Sequence, residues 1–244
     1  MSTGKFVWYD LMTSDVPAAR AFYAALFDWK IEQHSPEYTM ISHGEHGMGG
    51  MASPPAGVPS HWTAYVSVGD IHASLAKTLE LGGRVLMQPI TIPRTGQFAV
   101  IMDPYGASIS LIQLEAMETP WTAPKGENAI GWAELHTSNP EGALAFYQGL
   151  FGWESQSWDM GEGGTYYLVG SDHNGGIMRG QPGMPSHWLL YANVASTDAT
   201  VAKTKDLGGK VYHGPQDLKG VGRFAILADP TGAVFAIMQS RRDG

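Results

Sequence analysis

Cysteine is absent from the 244-residue sequence. A chain without thiols has no disulfide, no thiolate metal site and no cysteine nucleophile, and the absence fits a reducing compartment, so we predict a cytoplasmic protein.

Basic residues are also few. The 15 Lys and Arg stand against 23 Asp and Glu, the formal net charge is −8, and the positive charges form no stripe, which argues against a nucleic acid partner. No apolar run approaches the roughly 18 residues of a membrane-spanning helix, and residues 1–5 lead into a strand rather than a signal peptide, so we predict no membrane partner.

What the sequence does contain is a repeat. The segment Trp8–Thr13 reappears as Trp132–Thr137, an offset of 124 residues (132 minus 8). Later in each copy the offset is 126, because Asp103 matches Asp229 (229 minus 103), and we place the two-residue insertion at about 160–164. The repeat predicts a first domain at 1–115, a linker at 116–127 and a second domain at 128–244.

Each copy shows the periodicity of a strand, a helix and three strands, written twice. In the first copy a strand at 6–13 is followed by a helix whose apolar stripe must lie on a sheet; the stripe comprises Ala19, Phe22, Tyr23, Leu26 and Phe27. This helix needs Tyr9, Leu11 and Thr13 beneath it. Strand alternation then places Trp8 and Asp10 on the opposite face.

The second helix of the first copy is predicted to begin after Asp70, which caps it, and to end at Gly82 and Gly83. We expect this helix to turn Ile71, Leu75 and Leu79 toward the sheet. By the same alternation, His61 and Tyr65 of the preceding strand face the same way as Asp10. The tryptophans at positions 29, 62, 153 and 188 are predicted to lie in the core under the helices.

These motifs carry a family resemblance. In both copies a Thr and an acidic or polar cap precede a helix containing Ala-x-x-Phe-Tyr, and Leu-Gly-Gly and Asp-Pro-x-Gly follow before the last strand. This order resembles the vicinal oxygen chelate superfamily, which includes glyoxalase I, extradiol dioxygenases, fosfomycin-resistance enzymes and bleomycin-binding proteins. The Trp-x-Asp/Glu-Leu opening is similar to a tandem-domain actinobacterial type described as hydroxylase or glyoxalase-like. The resemblance implies an α+β fold of two tandem glyoxalase-like domains, each made of two βαβββ modules that form a cupped sheet.

The family usually holds a divalent metal, and the resemblance implies where its ligands would lie. Carried over position by position, they fall on Trp8, Thr63 and Ser110 in the first copy and on Trp132, Leu189 and Ala236 in the second. None of these side chains is the imidazole or carboxylate that such metals bind. We therefore predict that the usual metal site is lost and that the protein needs no cofactor.

Other side chains on the predicted cup face still offer chemistry. As catalytic candidates, acting by acid–base chemistry without a metal, we take Glu134, His136, His187, Asp10 and His61. As ligand-binding candidates we take Trp8, Tyr65, Ser110, Trp132 and Tyr191. A structural interpretation competes, in which the carboxylates accept hydrogen bonds from their surroundings, His61 and His187 cap strand ends, and the two tryptophans fill their pockets.

Three functions remain open from the sequence. The first is a protein that binds a small planar or hydrophobic metabolite in an aromatic cup, with or without acid–base chemistry. The second is a metal-dependent lyase or dioxygenase in which Glu134, His136 and His187 hold Fe, Zn or Ni as a displaced two-histidine, one-carboxylate site. The third is a non-catalytic interaction module with closed cups. The predicted partner is a small-molecule ligand, and the protein is either a monomer with pseudo-twofold domains or a homodimer.

Overall fold

A computed structural model describes residues 3–115, 124–170 and 172–241, apart from the side chain of residue 162. The fold is α+β, as predicted, with two mixed sheets of eight strands and four helices within those residues. Part of the predicted linker, residues 116–123, lies outside the described residues. None of the helices in the described ranges has the length and apolar character needed to cross a membrane.

The first sheet comprises eight strands: β1 (Phe6–Met12), β2 (Lys30–Ser35), β3 (Tyr38–His43), β4 (His46–Ala52), β5 (His61–Ser67), β6 (Arg84–Ile92), β7 (Gly96–Met102) and β8 (Ser108–Leu114). The second comprises β9 (Ile130–Thr137), β10 (Gln156–Asp159), β11 (Thr165–Val169), β12 (Gly175–Arg179), β13 (His187–Asn193), β14 (Lys210–Leu218), β15 (Gly222–Ala228) and β16 (Val234–Ser240). The helices are α1 (Val16–Phe27), α2 (Ile71–Glu80), α3 (Pro140–Phe151) and α4 (Thr197–Asp206), with a short 3-10 helix at Gly161–Gly163.

Both sheets have the same topology. The strand orders are β2-β3-β4-β1-β5-β8-β7-β6 and β10-β11-β12-β9-β13-β16-β15-β14. Each module is an antiparallel meander whose last strand returns to pair in parallel with its first, as β4 does with β1 and β12 with β9. This confirms that each copy contains two βαβββ modules.

The predicted helix faces are largely confirmed. Asp15 caps α1 by accepting a hydrogen bond from the Ala18 backbone N–H at 3.0 Å, and all five residues of its predicted stripe are buried. In α2 the prediction for Leu79 was wrong, because this side chain is 59% exposed and Thr78 is buried in its place. With 3.6 residues per turn, position 78 lies closer than position 79 to the line that joins Ile71 and Leu75.

The chain forms two compact units, each with elements from both copies. The first unit comprises the described residues of 1–8, 63–122 and 132–188, and the second those of 9–62, 123–131 and 189–244. In the first unit the Trp153 indole N–H donates to the Gly4 carbonyl at 2.7 Å, and the Trp153 ring packs on Phe6. In the second unit Trp29 donates in the same way to the Asn128 carbonyl at 2.7 Å.

The buried tryptophans confirm the predicted core. Trp29 and Trp153 are 3% exposed, and Trp62 and Trp188 are 7% exposed. Each of the latter pair donates its indole N–H to the tyrosine of the neighbouring helix, Tyr23 or Tyr147. A large ring with one polar atom can be buried at little cost when that atom has such a partner.

Candidate functional site

The side chains of β9 alternate between two faces of the sheet, one packed against α3 and the other carrying Glu134 and His136. Ala133 and Leu135 are buried beside the side of the sheet that carries α3, whereas Glu134 and His136 point to the opposite side. There His136 Nε2 lies 2.8 Å from Glu134 Oε1, and the two side chains are 17% and 10% exposed. Within the first unit the structure therefore brings two predicted catalytic residues into direct contact.

A tyrosine that the sequence analysis missed completes this arrangement. The Tyr166 hydroxyl donates to Glu134 Oε2 at 2.7 Å, and the Trp132 indole N–H donates to the Tyr166 oxygen at 3.1 Å. Because indole N–H is only a donor, the phenolic proton is directed to the carboxylate. We call Trp132, Tyr166, Glu134 and His136 the Glu134 network.

This pattern assigns the proton on His136. The Tyr166 hydroxyl donates to Glu134 Oε2, and an ionised carboxylate can only accept hydrogen bonds, so Glu134 Oε1 accepts its 2.8 Å hydrogen bond from His136 Nε2. His136 Nε2 must therefore carry a hydrogen, and in the neutral imidazole Nδ1 holds the lone pair. A histidine oriented through one nitrogen by a carboxylate can use the other nitrogen as a base.

His187 lies against this pair. Its ring stacks on the His136 ring, with centroids 5.2 Å apart and planes inclined by 18°. The His187 Nδ1 lies 2.9 Å from the Pro185 carbonyl oxygen, so Nδ1 carries the hydrogen and Nε2 holds the lone pair. Burial, with a smaller contribution from His136, lowers the pKa of His187 and favours its neutral form.

The remaining candidates in the first unit form a second group. Trp8 packs on a buried cluster that contains Tyr65. Tyr65 lies on β5 directly beside Ser110 on β8, and the Ser110 hydroxyl is 3.2 Å from that of Thr63. Two positions where the resemblance implies metal ligands are thus occupied by hydroxyl groups that bond to each other.

The candidates in the second unit are arranged differently. Asp10 accepts a hydrogen bond from the Tyr38 hydroxyl at 2.7 Å, as Glu134 does from Tyr166. His61 Nδ1 lies 2.8 Å from the Pro59 carbonyl oxygen. Tyr191 is buried on β13, where it pairs with Ala236. The carboxylate–tyrosine pair occurs in both copies, but Met12 stands at the position of His136 in the first.

The side chains present do not fit the alternative metal site. One oxygen of Glu134 is hydrogen-bonded to His136 Nε2 and the other to the Tyr166 hydroxyl. Over residues 3–115, 124–170 and 172–241, no group of three His, Cys, Asp or Glu side chains is placed to hold a metal ion. The predicted set of Glu134, His136 and His187 therefore comes together as a hydrogen-bonded and stacked cluster and not as a set of converging ligands.

Tyr166 was missed because its strand, β11, has a different offset from the strands before and after it. Tyr38 pairs with Asp10 as Tyr166 does with Glu134, yet these tyrosines are 128 residues apart (166 minus 38), while the strands before and after them keep offsets of 124 and 126. The registers of β3–β4 and β11–β12 show four residues gained before β11 and two lost before β12. The predicted net insertion of two residues is therefore the sum of two changes.

A repeated pair of glycines in the sequence marks the position of these tyrosines. A Cβ on Gly176 would collide with the Tyr166 hydroxyl, and a Cβ on Gly50 would collide with the same group of Tyr38. The repeated Gly-Gly pair at 49–50 and 175–176 thus leaves space for a large ring to cross the strand. Glycine in a strand interior often marks such a close approach.

Both copies match the model of one known protein family. The model of the Glyoxalase/Bleomycin resistance protein/Dioxygenase superfamily matches residues 5–111 and again 129–237. The chain belongs to this superfamily. The glyoxalase superfamily resemblance predicted from the sequence is thereby confirmed, as is its occurrence in two tandem copies.

Among relatives in the superfamily, the putative glyoxylase CFP32 of Mycobacterium tuberculosis is 34% identical over 244 residues, which cover 95% of this chain and 93% of the relative. The anthracycline biosynthesis protein DnrV of Streptomyces peucetius is 30% identical over 271 residues, covering 98% and 94%. These alignments extend over nearly the whole length of each protein.

Solved structures agree with the fold. A Mn(II)-bound glyoxalase from Novosphingobium aromaticivorans superposes with a TM-score of 0.68 at 15% identity, covering 98% of this chain and 83% of the other. A variant of homoprotocatechuate 2,3-dioxygenase from Brevibacterium fuscum gives 0.70 at 14% identity, covering 98% and 72%. At such identities the likeness shows the fold alone, so the chemistry must be argued from the side chains.

Proposed function

We propose that this glyoxalase-superfamily protein binds a small planar, hydroxylated metabolite beside the Glu134 network and accepts a proton from it on His136, without a metal. The observation that carries the proposal is the 2.8 Å contact between Glu134 Oε1 and His136 Nε2 in a nearly buried setting. It orients the imidazole and leaves Nδ1 as the base. A carboxylate in this position also stabilises the imidazolium that forms when His136 takes the proton.

The ligand class follows from the donors and acceptors. His136 Nδ1 and His187 Nε2 both hold lone pairs, so the stacked histidines favour a ligand that supplies O–H groups. The half-buried Trp132, which is hydrogen-bonded to Tyr166 and lies two residues before Glu134 on the same face of β9, adds an aromatic surface to the site. A hydroxylated aromatic ring offers both features. The relatives named as anthracycline biosynthesis proteins support a ligand of this kind, because anthracyclines are planar hydroxylated ring systems.

Proton transfer can be observed directly with para-nitrophenol, whose phenolate absorbs visible light and whose phenol does not. In a solution kept just below the pKa of the free phenol, we expect the wild-type protein to raise the phenolate absorbance in a saturable way. His136→Ala should abolish this rise, and Glu134→Gln should weaken it. Met12→Ala, at the corresponding position of the first copy, serves as the matched control and should leave it unchanged. Equal phenolate signals from the wild-type protein and His136→Ala would refute the proposal.

Metal binding is the opposing hypothesis, and it makes a separate prediction. After incubation with Mn(II), Fe(II), Ni(II) or Zn(II) and desalting, elemental analysis should find no stoichiometric metal that depends on His187. About one metal ion per chain, lost in His187→Ala, would contradict the proposal, because the histidines would then act as ligands.

A further inference from the structure

We infer that the exposed Trp158, on the edge strand β10, forms the outer wall of a groove that leads to the Glu134 network and selects fused-ring ligands over single rings. This inference rests on the proposed function, which it deepens by naming the ligand's size. Trp158 is 53% exposed in the structure, although tryptophan residues are usually well covered.

Strand register places Trp158 on the same face of the sheet as the network. Gln156 pairs with Leu168, Leu168 with Gly176, and Gly176 with Glu134, so these four residues form one row across four strands. Directly paired residues project from the same face, and Trp158 projects with Gln156 because it is two positions further along β10.

The opposite face is accounted for separately. The Tyr167 hydroxyl lies 3.4 Å from a carboxylate oxygen of Glu141 on α3, which identifies that face as the one covered by the helix. Ile177, the partner of Tyr167, is fully buried there. Trp158 therefore projects from the face of the sheet opposite α3.

Trp158 lies at the right place to extend the site. It pairs directly with Tyr166, whose ring crosses Gly176 to reach Glu134. The row from β10 to β9 spans three strand spacings, or about 14 Å. A single ring hydrogen-bonded to the histidines cannot cover this length, whereas a fused-ring molecule extends along Tyr166 toward Trp158. Met160, also exposed, adds an adaptable apolar side chain beyond it.

The first copy supports the same assignment by contrast. There the residue opposite Tyr38 is Ser35, and the site histidine is replaced by Met12. The copy with the histidine pair is thus also the copy with the aromatic wall. Trp158 and the four residues gained before β11 belong to the same part of the chain.

Two probes with the same hydroxyl groups test the inference. Catechol is a single ring with two adjacent hydroxyls, and alizarin carries the same pair on three fused rings. Isothermal titration calorimetry should show that wild-type protein binds alizarin more tightly than catechol. Trp158→Ala should weaken alizarin binding roughly twofold to tenfold, the range of one lost aromatic stacking contact, and leave catechol binding unchanged. Trp158→Phe should restore most of the alizarin affinity.

Tyr212→Ala is the matched control, since it removes an exposed ring from the edge strand β14 and should change neither affinity. If Trp158→Ala leaves alizarin binding intact while His136→Ala weakens it, the wall is refuted and the proposed site stands. If Trp158→Ala weakens alizarin binding but His136→Ala does not, the ligand does not reach both residues, and the inference of a groove from Trp158 to the Glu134 network is refuted. If neither probe binds to the wild-type protein, both the proposed function and the wall are refuted.

Discussion

Removing one hydroxyl, in Tyr166→Phe, tests the Glu134 network most directly. The substitution keeps the ring over Gly176 and removes only the oxygen that bonds to Glu134 Oε2 at 2.7 Å and to Trp132 Nε1 at 3.1 Å. Glu134 is buried, so its carboxylate loses a partner that water does not readily replace. We therefore expect Tyr166→Phe to lower the free energy of unfolding by more than the loss of an ordinary surface hydrogen bond would.

The magnitude follows from the two bonds. A hydrogen bond to a charged group contributes about 1.5–3 kcal/mol, and a neutral one about 0.5–1.5 kcal/mol. Because Trp132 is half-buried and can regain some solvent contact, we expect Tyr166→Phe to lower the free energy of unfolding by about 2–3 kcal/mol. In a protein of this size that corresponds to a fall in Tm of roughly 5–10 °C.

Urea unfolding of the wild-type protein and two variants measures this difference. Tyr167→Phe is the matched control, because its neighbouring hydroxyl makes a 3.4 Å exposed contact with Glu141 and its loss should cost about 0.5 kcal/mol or less. A Tyr166→Phe variant that unfolds at the same urea concentration as Tyr167→Phe would show that the carboxylate does not depend on the phenol. The interpretation of Glu134 as a fixed, ionised partner of His136 would then fail.

Three further predictions use other parts of the structure. Gly176→Ala should destabilise the protein by at least about 2 kcal/mol, since the new methyl group displaces the Tyr166 ring, and its effect should be less than additive with Tyr166→Phe; fully additive effects in urea unfolding would contradict this. Burial lowers the pKa of His187, so the unfolded chain binds a proton at this residue more readily than the folded chain does. The stability that neutral His187 contributes is therefore present above a pH of about 6.5 and is lost as the pH falls. His187→Gln should therefore flatten the loss of stability between pH of about 7 and 5, and an unaltered pH dependence would argue against a neutral His187. Trp153→Phe should cost about 1–3 kcal/mol by leaving the Gly4 carbonyl without its indole donor, whereas a thermal melt identical to that of the wild-type protein would show that this bond is dispensable.

Periodicity in the sequence predicts the helix faces that the structure shows, with one exception. The stripe of α1 was predicted residue by residue, because a helix on a sheet must bury every third or fourth side chain. Leu79 was misplaced because hydrophobicity was preferred over angular position. Thr78 can take the buried place since its hydroxyl bonds to the Ser74 carbonyl at 2.9 Å, which satisfies its polar atom within the helix.

The candidate site was predicted in part. Strand alternation placed Glu134 and His136 on one face, and the structure adds their 2.8 Å contact. Tyr166 and Trp158 were missed because both lie next to the inserted residues, where the repeat no longer aligns. Their position on the same face of the sheet as Glu134 depends on strand register, which relates residues about 20–40 positions apart in the chain and leaves no mark in local periodicity.

The sequence by itself determined that the chain is a duplicated α+β protein, because repeats, helix stripes and turn motifs are local features that can be compared along the chain, and its motifs carried the resemblance to the glyoxalase superfamily. It also determined that imidazole and carboxylate are missing from the positions where the resemblance implies metal ligands. Only the tertiary structure decided that Glu134 joins His136 and Tyr166 in one hydrogen-bonded network, and that each compact unit draws on both copies. Hydrogen bonds of this kind depend on distances of a few ångström between separate strands, and those distances are set by sheet register and packing.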